Sequence, residues 1–163
     1  MLDLGGVGEI QLRGRNICAG YWRKPAETAE AFNSEGWLCS GDIGRADEQG
    51  FVWIVDRKKD LIISGGENIS SIEVEQAVAT HPRVEEVAVI GLPHERWGET
   101  PCAVVTSTDG AEVAADEVIA HCRKRIAHYK CPTVVVTVEE LPKTASGKIA
   151  KVAVRGLLAA NRS

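Results

Sequence analysis

The sequence predicts an α+β fold in two parts, and three observations carry that prediction. From Arg57 onward, β-branched apolar runs alternate with stretches whose apolar residues recur at helical spacing. Residues 1–56 instead hold short apolar runs punctuated by glycine, with one brief helical stretch. Between the two, the segment 54–75 (IVDRKKDLIISGGENISSIEVE) sets five consecutive charges, Asp56 to Asp60, between two apolar runs. Such a stretch must face solvent or a polar partner and reads as a joint.

Each element follows from its residues. Glu9 to Arg13 alternates like a half-buried strand, and Gly14 ends it. Pro25 to Phe32 is a short helix with proline at an early position. Gly36-Trp37-Leu38 and Gly50-Phe51-Val52-Trp53 are further strands. Tyr21, Trp22, Phe32, Trp37 and Trp53 are more than so few elements can cover, and the strands lack closing partners. Residues 1–56 are therefore expected to be the terminal part of a larger domain. Across the joint, Leu61-Ile62-Ile63 resumes a strand, and Ser64-Gly65-Gly66 permits positive φ or close approach of a ligand. Ser70 with Glu73 is a capping box opening a helix over 71–80, with Val74, Ala77 and Val78 inward and Pro82 beyond its end. Val84–Ile90 and Pro101–Thr106 read as strands bracketing a loop, Gly91–Thr100. A helix over 115–128 carries the stripe Val118, Ile119, Cys122, Ile126; Thr133–Val138 is a strand; a last helix runs from near Lys148 to about Ala160.

Composition excludes several classes. The chain has 163 residues, 44% hydrophobic and 26% charged, with a net charge of −4. Nothing in this balance suggests nucleic acid, and no apolar run is of membrane-spanning length. Five scattered cysteines without a CxxC argue for free thiols in a reducing compartment, hence the cytoplasm. His121, Cys122, His128 and Cys131 lie close in sequence but fit no zinc spacing, so no metal site is expected. The charge is uneven. Residues 1–56 carry five Lys/Arg against nine Asp/Glu, whereas 123–155 carry eight Lys/Arg against Glu139 and Glu140 alone. That end could attract a phosphate-bearing ligand, or be an ordinary solvated face.

Lys148 is the sharpest single candidate. It lies in LPKTASGKI (141–149), a polar loop expected to run into a helix start, with Lys148, Lys151 and Arg155 on one helical face. The loop is not a Walker A motif, because Pro142 stands where its first glycine must be. Taken alone it could be a surface lysine.

Five segments in order change that weighting: WLCSGDIG (37–44), the joint (54–75), VAVIGLPHERWGE (87–99), HYKCP (128–132) and LPKTASGKI (141–149). Together they resemble the C-terminal portion of acyl-CoA synthetases, within the adenylate-forming superfamily. The resemblance covers essentially the whole chain. It implies a small C-terminal domain of mixed sheet with flanking helices over 57–163, preceded by a β-rich remnant of a large N-terminal domain over 1–56. It also implies a two-step reaction in which a carboxylic acid and ATP give acyl-adenylate and pyrophosphate, and coenzyme A then displaces AMP. The small domain would turn between the steps.

The implied roles follow motif position. Lys148 matches the lysine that reaches the α-phosphate and acyl carboxylate. Asp42 matches the aspartate on the ribose hydroxyls, and Arg57 the arginine that follows the ribose. Lys59 matches the hinge. Gly65 and Gly66 match the loop lining the pantetheine tunnel, and Trp97 and Lys130 are candidate coenzyme A contacts. Each has an ordinary rival: Asp42 a turn residue beside Gly41, Trp97 a core indole, Lys59 a solvated charge. ATP, coenzyme A and Mg2+ are implied, although the Mg2+ and adenine sites are not expected within these residues. Cys39-Ser40 replaces a frequent basic-Thr pair, and the arginine usual after GKI is offset to Lys151 or Arg155. ISGGENIS and a hinge lysine favour a fatty or medium-chain substrate over a peptide-synthetase carrier protein. Alone, the chain is expected to be inactive. The alternative is a non-catalytic module that docks onto an intact ligase. An N-terminal domain or a second copy is the expected partner of residues 1–56.

Overall fold

The computed structural model describes residues 6–160. The chain divides into two compact units, Met1–Lys59 and Asp60–Ser163.

The first unit is a three-stranded antiparallel sheet in the order β1-β2-β3, formed by β1 (Val7–Leu12), β2 (Leu38–Ala46) and β3 (Val52–Arg57), with helix α1 (Pro25–Ala31) in the β1–β2 connection. Strand β2 extends well past the expected Gly36–Leu38 and takes in Ser40-Gly41-Asp42. Both ladders slip by a bulge, between Glu9 and Gln11 and between Ile43 and Gly44. Gly44 is required there: a Cβ would stand 2.8 Å from Ile10 Cδ1 and 3.0 Å from the Trp53 carbonyl. Among the described residues Ile43 is the buried apolar side chain of this unit, whereas Trp22 (84% exposed), Phe51, Trp53 and Ile54 lie open.

The second unit is a five-stranded sheet covered on both faces. It comprises β4 (Ile62–Ser64), β5 (Glu67–Ile69), β6 (Val84–His94), β7 (Gly98–Ser107) and β8 (Val134–Thr137), with helices α2 (Ser71–Ala79), α3 (Ala115–Arg123) and α4 (Lys151–Ala160). The order is β5-β4-β7-β6, antiparallel, and β8 joins β7 in parallel through Cys102–Val105, which makes the sheet mixed. Period-two alternation sorts the core. Val89, Ala103 and Val105 pack with Val74, Val78, Val118 and Cys122 from α2 and α3. Ala88, Ile90, Cys102 and Val104 pack with Val154 and Leu158 from α4. Burial on both faces explains why β7 reads as a near-continuous apolar run.

Several boundaries differ from expectation for identifiable reasons. The loop expected over Gly91–Thr100 is mostly strand, because β6 and β7 pair as far as His94 opposite Gly98. Pro93 is tolerated because β6 is an edge strand. Helix α3 stops at Arg123 rather than 128. Arg125 and Ile126 both donate to the Cys122 carbonyl, and Ala127 leaves helical space at ψ 140°. A single 3-10 turn, His128–Lys130, then leads to Cys131, which is extended ahead of Pro132. The final helix starts at Lys151, not near Lys148. Residues 142–150 instead form a small hairpin, with Lys143 opposite Ile149 and the Ala150 amide donating to the Pro142 carbonyl at 2.8 Å. No helix among the described residues is long and apolar enough to cross a membrane.

Candidate functional site

Asp42 and Arg57 face one another across the β2–β3 ladder, and Arg57 Nε pairs with Asp42 Oδ1 at 2.6 Å. Gly41 takes φ +73°, which frees its carbonyl to accept the Lys58 amide at 2.8 Å. Glu9 braces the same turn. One carboxylate oxygen accepts the Gly41 amide at 3.2 Å, and the other pairs with Lys58 Nζ at 2.8 Å, which raises the Lys58 pKa. Asp42 is thus a presented carboxylate on a braced strand. Lys59 is exposed and is the last residue before the division between the units.

Gly65 and Gly66 form the two-residue tip of the β4–β5 hairpin, between the paired residues Ser64 and Glu67. Both have positive φ, +60° and +87°, as a type I′ turn needs. The Gly65 amide donates to the Trp97 carbonyl at 2.9 Å, and a Cβ on Gly65 would lie 3.6 Å from the indole. Gly66 has open space around it, so its need for glycine is conformational. Trp97 stacks on His94 with centroids 4.6 Å apart and planes 12° from parallel. His94 Nδ1 accepts the Arg96 and Trp97 amides, which closes the β6–β7 turn under the ring.

Behind this hairpin lies a cavity of about 490 Å3. Gly65, Trp97, Arg123, His128, Tyr129 and Pro132 are among its walls. Glu67 is also in the wall, so apolar walls, an open indole and charged side chains of both signs suit a ligand with an aromatic ring and polar groups. Lys130 is not in the lining. Its amine lies 2.8 Å from both carboxylate oxygens of Glu73, a hydrogen bond that raises its pKa and ties the 3-10 turn to α2. Sequence reasoning weighed His128 only as a metal ligand and Arg123 only as part of a basic run, and placed neither of them nor Tyr129 at a cavity, because the α3 boundary that presents them depends on tertiary packing.

Lys148 stands apart from this cavity, on the exposed 142–150 hairpin. Thr144 holds the tip: its amide donates to the Lys148 carbonyl at 2.7 Å, and its hydroxyl accepts the Lys148 amide at 3.3 Å. Leu141 is fully buried beneath. The expected shared face of Lys148, Lys151 and Arg155 is corrected accordingly, since only the latter two are in α4. Lys151 Nζ reaches Ser71 Oγ at 2.6 Å and Glu75 at 2.8 Å, and Arg155 meets Asp60 at 3.0 Å. With Lys143 on Glu86 and Lys130 on Glu73, four of the eight basic residues over 123–155 pair with carboxylates from other elements. Lys148 has no ion-pair partner among the described residues. Among the described residues no three His, Cys, Asp or Glu side chains gather as metal ligands.

Residues 73–148 match the AMP-binding enzyme C-terminal domain. A peroxisomal trans-cinnamate:CoA ligase of Petunia hybrida is 47% identical over 149 residues, covering 91% of this chain and 26% of the relative. A mitochondrial medium-chain acyl-CoA ligase of Macaca fascicularis is 44% identical over 155 residues, covering 95% and 25% respectively. The crystal structure of ATP-bound MatB from Rhodopseudomonas palustris superposes with a TM-score of 0.86 at 38% identity, over 96% of this chain and 31% of that one. The chain therefore spans between a quarter and a third of the length of these proteins.

Proposed function

The chain belongs to the adenylate-forming superfamily and carries its AMP-binding enzyme C-terminal domain, and from that premise we propose that it serves an acyl-CoA synthetase acting on a fatty or medium-chain acid. In the first step a carboxylate oxygen attacks the α-phosphorus of ATP, the bond to the bridging oxygen breaks, and pyrophosphate leaves. In the second, the coenzyme A sulfur attacks the acyl carbonyl carbon after losing its proton, and AMP leaves with the bonding pair. Residues 1–56 are assigned to the end of the large domain and 57–163 to the mobile domain, with Lys59 as pivot.

Lys148 carries the reading. It is a cation on a hydrogen-bonded, exposed hairpin, unpaired among the described residues while Lys143 and Lys151 of the same segment are committed to carboxylates. A cation so placed stabilises charge that grows on the α-phosphate and acyl carboxylate during attack. Asp42, braced by Arg57, offers two acceptor oxygens to ribose hydroxyls. The Gly65-Gly66 tip and Trp97 are assigned to coenzyme A, with the cavity behind them receiving its nucleotide. Lys130 can join them only by exchanging or sharing its Glu73 partner. Five free cysteines fit a reducing compartment such as the cytoplasm.

The test separates the half-reactions in a complete ligase carrying these residues. Lys148→Ala is expected to lower pyrophosphate release by about 100-fold or more, while thioester formation from supplied acyl-adenylate is largely kept. The 163 residues by themselves are expected to release no pyrophosphate. Equal loss in both steps would remove Lys148 from the role. A second reading, a non-catalytic module docking on an intact ligase, is favoured by the open Trp22, Phe51 and Trp53; it requires Lys148→Ala to leave adenylation untouched.

A further inference from the structure

The β4–β5 hairpin is thinly attached to its sheet. Its own ladder has three pairs, and against β7 it makes one register pair, Ser64 opposite Gly98, besides the Gly65 bond to Trp97. Ile62 and Ile69 fix the base in the core, whereas Ile63 lies open beyond them. In a two-residue hairpin the pair flanking the tip is hydrogen-bonded, so the Ile63 N–H points away from β5. That amide donates to Glu99 Oε2 at 2.9 Å.

Gly91 on β6 makes room for the carboxylate. A Cβ there would lie 2.9 Å from Glu99 Cδ and Oε2 and 3.0 Å from Oε1. Three strands therefore meet at one side chain: β7 supplies Glu99, β6 supplies the space over Gly91, and β4 supplies the amide next to the glycine tip. We infer that Glu99 is a positioning residue that pins the Gly65–Gly66 turn for coenzyme A, an assignment that rests on the function proposed above. Its carboxylate touches no substrate; it fixes where the backbone wall of the tip stands.

Amide exchange in the 163-residue chain tests the pin, and half-reactions in a complete ligase test its use. Glu99→Ala and Gly91→Ala should each speed exchange of the Ile63 amide about tenfold, the loss of one hydrogen bond, with the central Val104 amide unchanged. Glu99→Gln, which keeps an acceptor oxygen, should recover most of the protection. In the ligase, the first two variants should lower kcat/KM for coenzyme A about tenfold, mainly through KM, and leave adenylate formation alone. Glu99→Gln should again rescue. Unchanged Ile63 exchange in both alanine variants overturns the pin. Faster exchange with an intact thioester step overturns the positioning role, as does equal loss of both half-reactions. A wild-type ligase that makes no thioester overturns the reading beneath it, and the exchange rates then still decide whether Glu99 holds the turn.

Discussion

Residues that look alike in sequence part company by partner. Lys130, Lys143 and Lys151 each meet a carboxylate at 2.8 Å, and Lys148 meets none among the described residues. Charge counting over 123–155 could not separate them, because their partners Glu73, Glu86 and Glu75 lie 57 to 76 positions away in sequence. His121 is a second case of environment overriding residue type. Burial foremost, then Arg125, His81 and Lys124, hold its imidazole below the ordinary 6.5, and its Nε2 lies 2.8 Å from the Thr80 hydroxyl. The native state therefore binds fewer protons at His121 than the unfolded chain does. The stabilisation is complete above the unfolded value and is lost as pH falls through the lower native one. Tm should drop between about pH 7.5 and about pH 5, and His121→Gln should flatten that slope. A variant as pH-sensitive as the wild type would exclude His121 as the source.

Elements were legible where local chemistry decides them. The Ser70 cap forms as the capping box indicates, its hydroxyl accepting the Glu73 amide at 3.2 Å, and the β-branched run after Cys131 becomes β8. The glycine pair was legible as a place where side chains are excluded; the type I′ turn supplies the physical reason. What sequence could not give was pairing. Glu67-Asn68-Ile69 is a poor strand former that becomes β5 through its tight turn, and the 142–150 hairpin displaces a helix start through ladder bonds no periodicity encodes. Helix α4 depends on such non-local terms: Lys151 lies half-sheltered between Ser71 and Glu75, while Glu75 also accepts the Val89 amide at 2.8 Å. Lys151→Met keeps the aliphatic stem but leaves Glu75 without its cation. It should cost about 2 kcal/mol in urea unfolding, with Glu75→Gln costing less because the Val89 bond can persist. A Lys151→Met chain as stable as wild type would show α4 to be held without the Lys151 pair, by Val154, Leu158 and the Arg155–Asp60 bond.

At the scale of the whole molecule, the two units differ in what holds them. The second has a sheet buried on both faces, with one apolar cluster under α2 and α3 and another under α4. The first has three strands and one seven-residue helix, with Ile43 as its buried apolar side chain among the described residues and Trp22, Phe51, Val52, Trp53 and Ile54 open to water. Apolar burial is the main term opposing chain entropy, so a unit with so little of it opens at low free energy. Hydrogen exchange of the 163-residue chain should therefore show amides of β1–β3 exchanging orders of magnitude faster than those of β6 and β7. Where a large covering surface is supplied in a complete ligase, β1–β3 should become protected while β6 and β7 change little, because their core is already closed. Equal protection of both units in the 163-residue chain at low concentration would mean that the first sheet is held by interactions other than apolar burial. Protection that rises with concentration would instead identify a second copy as the cover, and sedimentation would then show a dimer.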